Sequence, residues 1–366
     1  MAKRRLSKQQ RSRIDSRTTA KAESPGDETF SGVVVAHHGK SVDIRPGSLF
    51  GQSENSHAVV RGQLRANLPL LVCGDRVTWR PDPKNQETAI VEGLEPRTNV
   101  LSRPRPYRDA KPVASNLDLI ILVLSASPAP IGSLADRYLI AAEQMGVDIA
   151  IVINKIDLLD SNSESYKPEV ANELLELSDI YRQLDYPVYA ITTKSGLSAG
   201  SDSRQHFGHS LAELLKIIDR RTSILVGQSG VGKSSIINLL KNAEEAAIGE
   251  VSAASEKGRH TTTHSSLYLV DNGNREQEQE SVDKQHRFAI IDSPGIREFG
   301  LWHLEEAEIV RGMREFSQFS LSCEFRDCDH KHSRGCAVQK ALQSGEIHPR
   351  RASSYKQIIA SLEQDN

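Results

Sequence analysis

Apolar runs divide the chain into a part made only of short strands and a part in which strands alternate with helices. From Ser31 on, β-branched segments separated by Gly, Pro, Asn and Asp predict a small five-stranded barrel. These segments are Gly32–Ala36, Ser41–Arg45, Ala58–Arg61, Arg76–Arg80 and Thr88–Val91. Within the barrel, Val60–Leu64 and Leu71–Trp79 are expected to form neighbouring strands.

A linker rich in arginine and proline, Pro96–Pro112, leads into the alternating part. Its strands are predicted at Leu117–Leu124, Asp148–Ile153, Val188–Thr192, Thr222–Val226, Ser265–Val270 and Phe288–Ile291. Its helices are predicted from the cap Ser133 to Met145, before Gly146, and at Pro168–Leu184, Ser210–Asp219 and Ser235–Leu240. This alternation predicts an α/β domain with a mostly parallel sheet.

The sequence GQSGVGKS follows one of these strands and precedes a helix. It matches the phosphate-loop pattern G-x-x-x-x-G-K-[ST] at every specified position, in the strand–loop–helix context that the motif requires. The glycines let backbone N–H groups point at a phosphate, while the lysine reaches the β- and γ-phosphates and the serine binds Mg²⁺. The predicted nucleotide-binding residues are Gly227, Gln228, Ser229, Gly230, Val231, Gly232, Lys233, Ser234 and Ser235. A glycine-rich turn that matches by chance is the alternative.

The tetrapeptide NKID stands directly after the strand Asp148–Ile153. In an N-K-x-D motif the carboxylate accepts hydrogen bonds from the ring N1–H and the exocyclic amine of guanine. Adenine offers neither donor in that place, so a buried carboxylate rejects it. We therefore expect Asn154, Lys155 and Asp157 to bind the base. The loop after the next strand occupies the place of the base-supporting loop of GTPases and consists of Thr192, Thr193 and Lys194.

Two further segments are predicted to contact the γ-phosphate and Mg²⁺ of bound GTP. The segment DSPG fits D-x-x-G, with Asp292 on the Mg²⁺ side and the backbone N–H of Gly295 on the γ-phosphate. In the segment GRHTTT, a threonine hydroxyl completes the Mg²⁺ shell, and Thr262 is the first choice among three neighbouring threonines.

The residue after the D-x-x-G glycine bears on the rate of hydrolysis. In Ras-like enzymes a glutamine there orients the attacking water, whereas Ile296 stands there in this chain. Hydrolysis is therefore expected to be slow and to depend on a partner. His260 is the candidate group that positions the water; a solvent-exposed loop histidine is the alternative interpretation.

The cluster Cys323, Cys328, His330 and Cys336 has the spacing C-x4-C-x-H-x5-C. Three thiolates and one imidazole fill all four positions of a tetrahedral Zn²⁺ site, which predicts a structural rather than a catalytic metal. A redox role or coincidence is the alternative, and His332 is a further imidazole nearby.

Composition and charge indicate the cellular compartment of the protein and a basic N-terminal arm. The 366 residues carry a net charge of -2, so the molecule as a whole is not an evident nucleic-acid binder. The first 21 residues, however, hold eight Lys or Arg and one acid, which predicts a disordered arm that contacts nucleic acid. A solubilising tail and a transit peptide are the alternatives. With four cysteines and a longest apolar run of Leu117–Leu124, the chain is expected to be cytoplasmic, reduced and free of membrane contact.

The order of the motifs differs from that of an ordinary GTPase, in which the phosphate loop comes first. Here the base motif precedes the phosphate loop, and both switch segments follow it. The same strands form the same sheet when the chain ends are moved to other surface loops. The order therefore predicts a circularly permuted GTPase.

The barrel, the permuted order, the GRHTTT stretch and the cluster CEFRDCDHKHSRGCAV together resemble the bacterial ribosome small-subunit-dependent GTPase A family. The resemblance covers nearly the whole chain from Ser31. It implies GTP hydrolysis that is stimulated by the small ribosomal subunit late in its maturation, and a barrel that binds ribosomal RNA. It also implies Zn²⁺ in the C-terminal domain. The expected ligands are GTP or GDP, Mg²⁺ and one Zn²⁺ per chain, and the protein is expected to be a monomer. Ser293, where threonine is common, and a longer insert at Asn272–Gln285 depart from the family pattern.

The expected fold is multidomain α/β. A basic arm (1–30) precedes a barrel of the oligonucleotide-binding (OB) type (31–103), the permuted P-loop GTPase domain (104–300) and a helical zinc-binding domain (301–366). The runner-up function is an RNA-binding assembly scaffold in which GTP is only a structural ligand. An ATPase is disfavoured by Asp157.

Overall fold

The computed structural model describes residues 28–50, 59–65, 68–105, 108–193, 211–242, 265–271, 287–292, 301, 304–328, 330 and 333–364. Residues 1–27 of the predicted arm and the insert Asn272–Gln285 lie outside this part of the chain.

The N-terminal barrel contains the five predicted strands. They are β1 (Phe30–His37), β2 (Ser41–Pro46), β3 (Val60–Leu64), β4 (Arg76–Asp82) and β5 (Asn85–Leu94). Their order is β1-β2-β3-β5-β4, and β4 pairs back with β1 and closes the barrel. Alternate residues such as Val34, Ile44 and Val91 point inward and form its core.

One predicted pairing in the barrel is wrong, because β5 separates β3 from β4. The run Leu71–Trp79 is also not one strand. Gly74, with a φ of 91°, turns the chain, and the Asp75 carboxylate accepts the N–H of Val72 at 2.8 Å. The apolar residues before this turn are buried although they do not form part of a strand, and β4 begins only at Arg76.

The predicted linker Pro96–Pro112 is instead largely a hairpin. Strands β6 (Val100–Arg105) and β7 (Arg108–Ser115) pair antiparallel, with irregular register between Leu101 and Ser102 and again near Arg103. Proline lacks an N–H and is tolerated at such irregular positions, which explains how a proline-rich stretch forms a ladder. The hairpin spans the expected domain boundary between residues 103 and 104.

The GTPase sheet has the predicted, mostly parallel character. Its strands are β8 (Leu119–Ser125), β9 (Asp148–Asn154), β10 (Val188–Ala190), β11 (Thr222–Val226), β12 (Ser266–Asp271) and β13 (Arg287–Asp292). The order is β10-β9-β8-β11-β13-β12, and β12 runs antiparallel to β13. Strand β12 also pairs with β1 of the barrel at Ser266 and Ala36, so that one 11-stranded sheet runs through both parts.

Helices α1 (Gly132–Met145), α2 (Pro168–Gln183), α3 (Leu211–Ile218) and α4 (Lys233–Asn242) accompany this sheet. The predicted cap of α1 is wrong. The helix begins at Gly132, and Ile131 at the cap position contributes only its carbonyl, which accepts the N–H of Leu134 at 3.0 Å. Gly146 ends α1 in the left-handed region, with a φ of 62°, as predicted.

The C-terminal part is helical and packs on the GTPase domain. Its helices are α5 (Glu306–Gly312), α6 (Arg314–Ser320), α7 (Ala337–Ser344) and α8 (Pro349–Gln364). Ile309, Met313 and Phe316 belong to the same core cluster as α1. A Cβ on Gly312 would lie 2.7 Å from Ile140 Cγ2, so only glycine lets α5 approach α1 this closely. Among the described residues, no helix has the length and apolar character that crossing a membrane requires.

Candidate functional site

The predicted nucleotide motifs meet at the carboxyl ends of four parallel strands. The phosphate loop follows β11, Asn154 ends β9, Thr192 follows β10, and Asp292 ends β13. Because parallel strands present their carboxyl ends at one edge of a sheet, loops far apart in the chain converge there.

The phosphate loop has the backbone that its glycines permit. Gly227, Gly230 and Gly232 have φ values of 133°, 84° and 96°. A Cβ on Gly227 would lie 2.4 Å from the Val123 carbonyl oxygen. Helix α4 begins at Lys233, two residues before the predicted start, so the loop leads directly into the helix N-terminus, which favours anions.

The lysine of the phosphate loop is held by backbone carbonyl groups of the same loop. Lys233 Nζ donates to the carbonyl oxygens of Gly227 at 2.8 Å and Gln228 at 2.7 Å, which hold the ammonium group at the loop. Ser229, Ser234 and Ser235 are exposed, whereas Val231 is buried.

The base motif contacts the phosphate loop directly. Asn154 is fully buried, and its Nδ2 donates to the carbonyl oxygen of Val231 at 2.9 Å, across 77 residues of sequence. A Cβ on Gly232 would lie only 2.3 Å from the same Nδ2. The permuted motifs are therefore assembled into one site by the sheet.

Lys155 connects three segments. Its Nζ donates to the carbonyl oxygens of Gly230 and Ser127, each at 2.6 Å. Ser127 lies in the connection between β8 and α1, and sequence reasoning missed it because a backbone carbonyl has no sequence signature.

The predicted base-reading carboxylate is oriented by the predicted supporting loop. Thr192 Oγ1 donates to Asp157 Oδ1 at 2.8 Å. Asp157 lies in a 3-10 turn (Ile156–Leu159) directly after β9 and is half-buried, as is Thr193. The structure thus brings Asp157 and Thr192 together; Lys194 lies outside the described residues.

Asp292 is the last residue of β13 and lies near two lysines. Burial raises the pKa of its carboxyl group, while the positive charges of Lys233 and Lys241 act in the opposite direction. Lys241 of α4 also lies over the ring of Tyr268 on β12, 3.9 Å from its centroid. The partly buried Asp292 carboxylate and the exposed Ser234 hydroxyl in the first turn of α4 offer the oxygen donors that Mg²⁺ prefers. The remaining predicted residues of this site, His260, Thr262 and Gly295, lie outside the described part of the chain.

The second candidate site is the cysteine and histidine cluster. The ligand atoms of Cys323, Cys328, His330 and Cys336 all lie within 4.8 Å of one another. His330 Nδ1 is 3.6 Å from Cys323 Sγ and 3.5 Å from Cys336 Sγ. In a tetrahedral site with Zn–S and Zn–N bonds of ordinary length, neighbouring ligands are separated by roughly 3.5–3.8 Å. The cluster therefore fits Zn²⁺ as predicted.

Local structure places two of these ligands. Cys336 caps α7, and its Sγ accepts the N–H of Gln339 at 3.4 Å. His330 has a φ of 55°, which is uncommon for a residue with a side chain and aims the imidazole at the thiols. Burial raises the pKa of Cys336 to about 11, so a metal cation is needed to make this thiol a thiolate near neutral pH.

Three arginines of the barrel are engaged with acids. Arg61 Nε lies 2.6 Å from Asp43 Oδ1, and both Arg65 and Arg80 pair with Glu92 at 2.6 and 2.8 Å. These residues are therefore not a set of uncompensated positive charges.

Comparison with known proteins identifies relatives over the whole chain. A family model described as RsgA GTPase matches residues 94–302. The protein "Small ribosomal subunit biogenesis GTPase RsgA" of Saccharophagus degradans is 38% identical over 374 residues, which span 100% of this chain and 99% of that protein. The protein of the same name from Alcanivorax borkumensis is 37% identical over 380 residues, or 100% and 97% of the two chains.

Solved structures agree with the fold. The crystal structure of YjeQ from Thermotoga maritima has a TM-score of 0.63 and 26% identity, and covers 92% of this chain and 99% of its own. YloQ, described as a circularly permuted GTPase, has a TM-score of 0.62 at 23% identity over 94% and 99% of the two chains, which supports the fold alone. The permuted arrangement predicted from the motif order is thus confirmed.

Proposed function

The chain belongs to the RsgA GTPase family, and from this membership we propose how its sites serve the biogenesis of the small ribosomal subunit. It is a GTPase of that process and converts GTP and water to GDP and phosphate. The observation that carries our assignment of the site is the contact between Asn154 Nδ2 and the Val231 carbonyl, since it joins the base motif to the phosphate loop.

In the proposed site, the carboxylate of Asp157 accepts the two donors of guanine, and Thr192 holds that carboxylate in place. Backbone N–H groups of the loop Gly227–Gly232 and the ammonium group of Lys233 bind the β- and γ-phosphates. To do so, Lys233 exchanges its two carbonyl partners for phosphate oxygens, to which a cation binds more strongly.

We assign Ser234, Thr262 and Asp292 to the Mg²⁺ side of the site. Bound Mg²⁺ would supply positive charge to the β- and γ-phosphates as charge develops on them. The N–H of Gly295 contacts the γ-phosphate, and His260 positions the attacking water. Because Ile296 replaces the usual glutamine, the unstimulated reaction is slow.

We further propose which partners and which metal the protein binds. The small subunit and its ribosomal RNA bind the monomeric protein in the cytoplasm through the basic arm and the OB barrel, and this binding accelerates hydrolysis. The ion pairs of the barrel arginines are partly exposed, so each contributes little and is readily exchanged for a phosphate group. One Zn²⁺ bound by the Cys₃His cluster stabilises the C-terminal domain. We place this domain at 301–366, after the arm (1–30), the barrel (31–103) and the GTPase domain (104–300).

The decisive experiment measures multiple-turnover GTP hydrolysis with and without purified small ribosomal subunits. We expect strong acceleration by the subunits, and weaker acceleration when the N-terminal 27 residues are removed. A rate that does not respond to subunits would favour the second candidate, an RNA-binding scaffold with GTP as a structural ligand.

A further inference from the structure

Strand β12 lies between the barrel and the GTPase domain and touches both. Its first residue, Ser266, has Ala36 of β1 as Cα partner on one side and Asp292 of β13 on the other. Neighbouring strands are about 4.8 Å apart, so a barrel residue lies roughly 10 Å from the proposed Mg²⁺-side carboxylate. The barrel is therefore part of the sheet that carries the nucleotide loops.

A buried thiol adds a second contact at the same place. Cys73 Sγ lies 3.3 Å from the carbonyl oxygen of Ser265 and 3.3 Å from that of Val35 in β1. Cys73 is 1% exposed, and burial raises the pKa of its thiol to about 12. The thiol thus keeps its single proton and shares it between the carbonyl oxygens of Val35 and of Ser265, the residue that directly precedes β12.

The turn that holds Cys73 is fixed on its other side. The buried Asp75 carboxylate accepts hydrogen bonds from Ser115 Oγ at 2.6 Å and Arg97 Nε at 2.7 Å. Cys73 also forms an isolated bridge with Ala114 of β7. Since the turn cannot shift independently of the barrel and of β7, Cys73 holds Ser265 at a defined position relative to both.

We propose that Cys73 is a positioning residue for the GTPase reaction, through which the barrel holds β12, and with it the paired Asp292 of β13, in place. The inference rests on the proposed function, namely on Asp292 at the Mg²⁺ side of the site and on stimulation by the small subunit. Ser265, which Cys73 contacts, directly precedes Ser266, the Cα partner of Asp292. A barrel that is immobilised on RNA therefore restricts where the Asp292 carboxylate can lie, which reduces the ordering cost of the reactive arrangement.

The test compares Cys73→Ala, which removes the donor, with Cys73→Ser, which keeps one. We expect Cys73→Ala to lower the subunit-stimulated kcat about fivefold, the factor associated with one ordinary hydrogen bond. Nucleotide Kd and KM for subunits should stay within about twofold, and Cys73→Ser should restore the stimulated rate. Val91→Ala is the matched control, because it truncates a buried barrel residue on β5 that is not part of the contact of Cys73 with Val35 and Ser265.

A second measurement, made without ribosomes, follows the contact between the barrel and β12. Amide hydrogen exchange in Ser266–Asp271 should be faster in Cys73→Ala than in the wild-type protein or in Val91→Ala. Equal stimulated kcat in Cys73→Ala and wild type, or an equal loss in Val91→Ala, would overturn the inference. If the wild-type protein is not stimulated by subunits, the proposed function fails instead, and the exchange measurement still decides whether Cys73 holds β12.

Discussion

Arg351 of α8 forms an ion pair with Asp136 of α1, and the two side chains are only 2% and 3% exposed. Glu315 of α6 accepts a further hydrogen bond from Arg351 Nη2 at 3.1 Å, and Tyr181 donates its hydroxyl to Asp136 at 2.9 Å. Burial opposes the charge of the guanidinium, but the two carboxylates outweigh it and raise the pKa of Arg351. The C-terminal helices are thus joined to the GTPase domain inside a common core.

Replacing Arg351 should therefore destabilise the whole protein. Arg351→Met leaves two buried carboxylates without a counter-charge, and we expect the free energy of unfolding to fall by about 3–5 kcal/mol. The neighbouring Arg350 is the control, because its pair with Glu173 is partly exposed; Arg350→Ala should cost about 1 kcal/mol or less. Denaturant unfolding of both variants measures this, and equal losses would contradict the role of the buried pair.

The base preference should follow Asp157. In Asp157→Asn the amide can donate to the exocyclic oxygen of xanthine but no longer accepts both guanine donors, so we expect GTP to bind at least about a hundredfold more weakly and XTP to bind better. Fluorescent-nucleotide titrations measure both affinities. Thr192→Ala, which removes only the orienting hydroxyl, should weaken GTP binding less and keep the preference for guanine. Retained GTP preference in Asp157→Asn would refute the base assignment.

Gly232 should not tolerate a side chain. Gly232→Ala forces a Cβ to within 2.3 Å of Asn154 Nδ2 at a φ of 96°, so the phosphate loop and the base motif must separate. We expect loss of measurable GTP and GDP binding. Gly146→Ala provides the comparison, since that glycine also has a positive φ, 62°, but no atom lies within 4 Å of the added Cβ. This variant should lose about 1 kcal/mol of stability and bind nucleotide normally.

Zinc content should depend on the cluster alone. Elemental analysis should find about one Zn²⁺ per chain, as expected for a closed four-ligand site. Cys328→Ser should lower this content and the unfolding temperature, and a strong chelator should lower the unfolding temperature of the wild-type protein. Cys73→Ser keeps the four ligands and should retain the metal. Full zinc content in Cys328→Ser would remove that residue from the ligand set.

Much of the nucleotide site could be predicted because its motifs are local. The positive-φ glycines of the phosphate loop, the polar residues at strand ends and the spacing of the zinc cluster each occupy a few neighbouring positions, and their chemistry requires that spacing. The motif order was enough to indicate the permutation. By contrast, the partner of Lys155 on the β8–α1 connection is a backbone carbonyl, Ser127 O, which any residue supplies.

The strands themselves were determined by the sequence, since short β-branched, apolar runs bounded by turn residues, such as that of β11, suffice to predict them. Which strands lie side by side was decided only in the tertiary structure. A short apolar run indicates a strand but does not identify its neighbour, and so the predicted pairing of β3 is wrong and the link between Ala36 and Ser266 has no sequence signature. The buried charge of Arg351 likewise depends on the tertiary structure: the cost of burying it is offset by Glu315 and by Asp136, 215 residues away, which the folded chain brings to it.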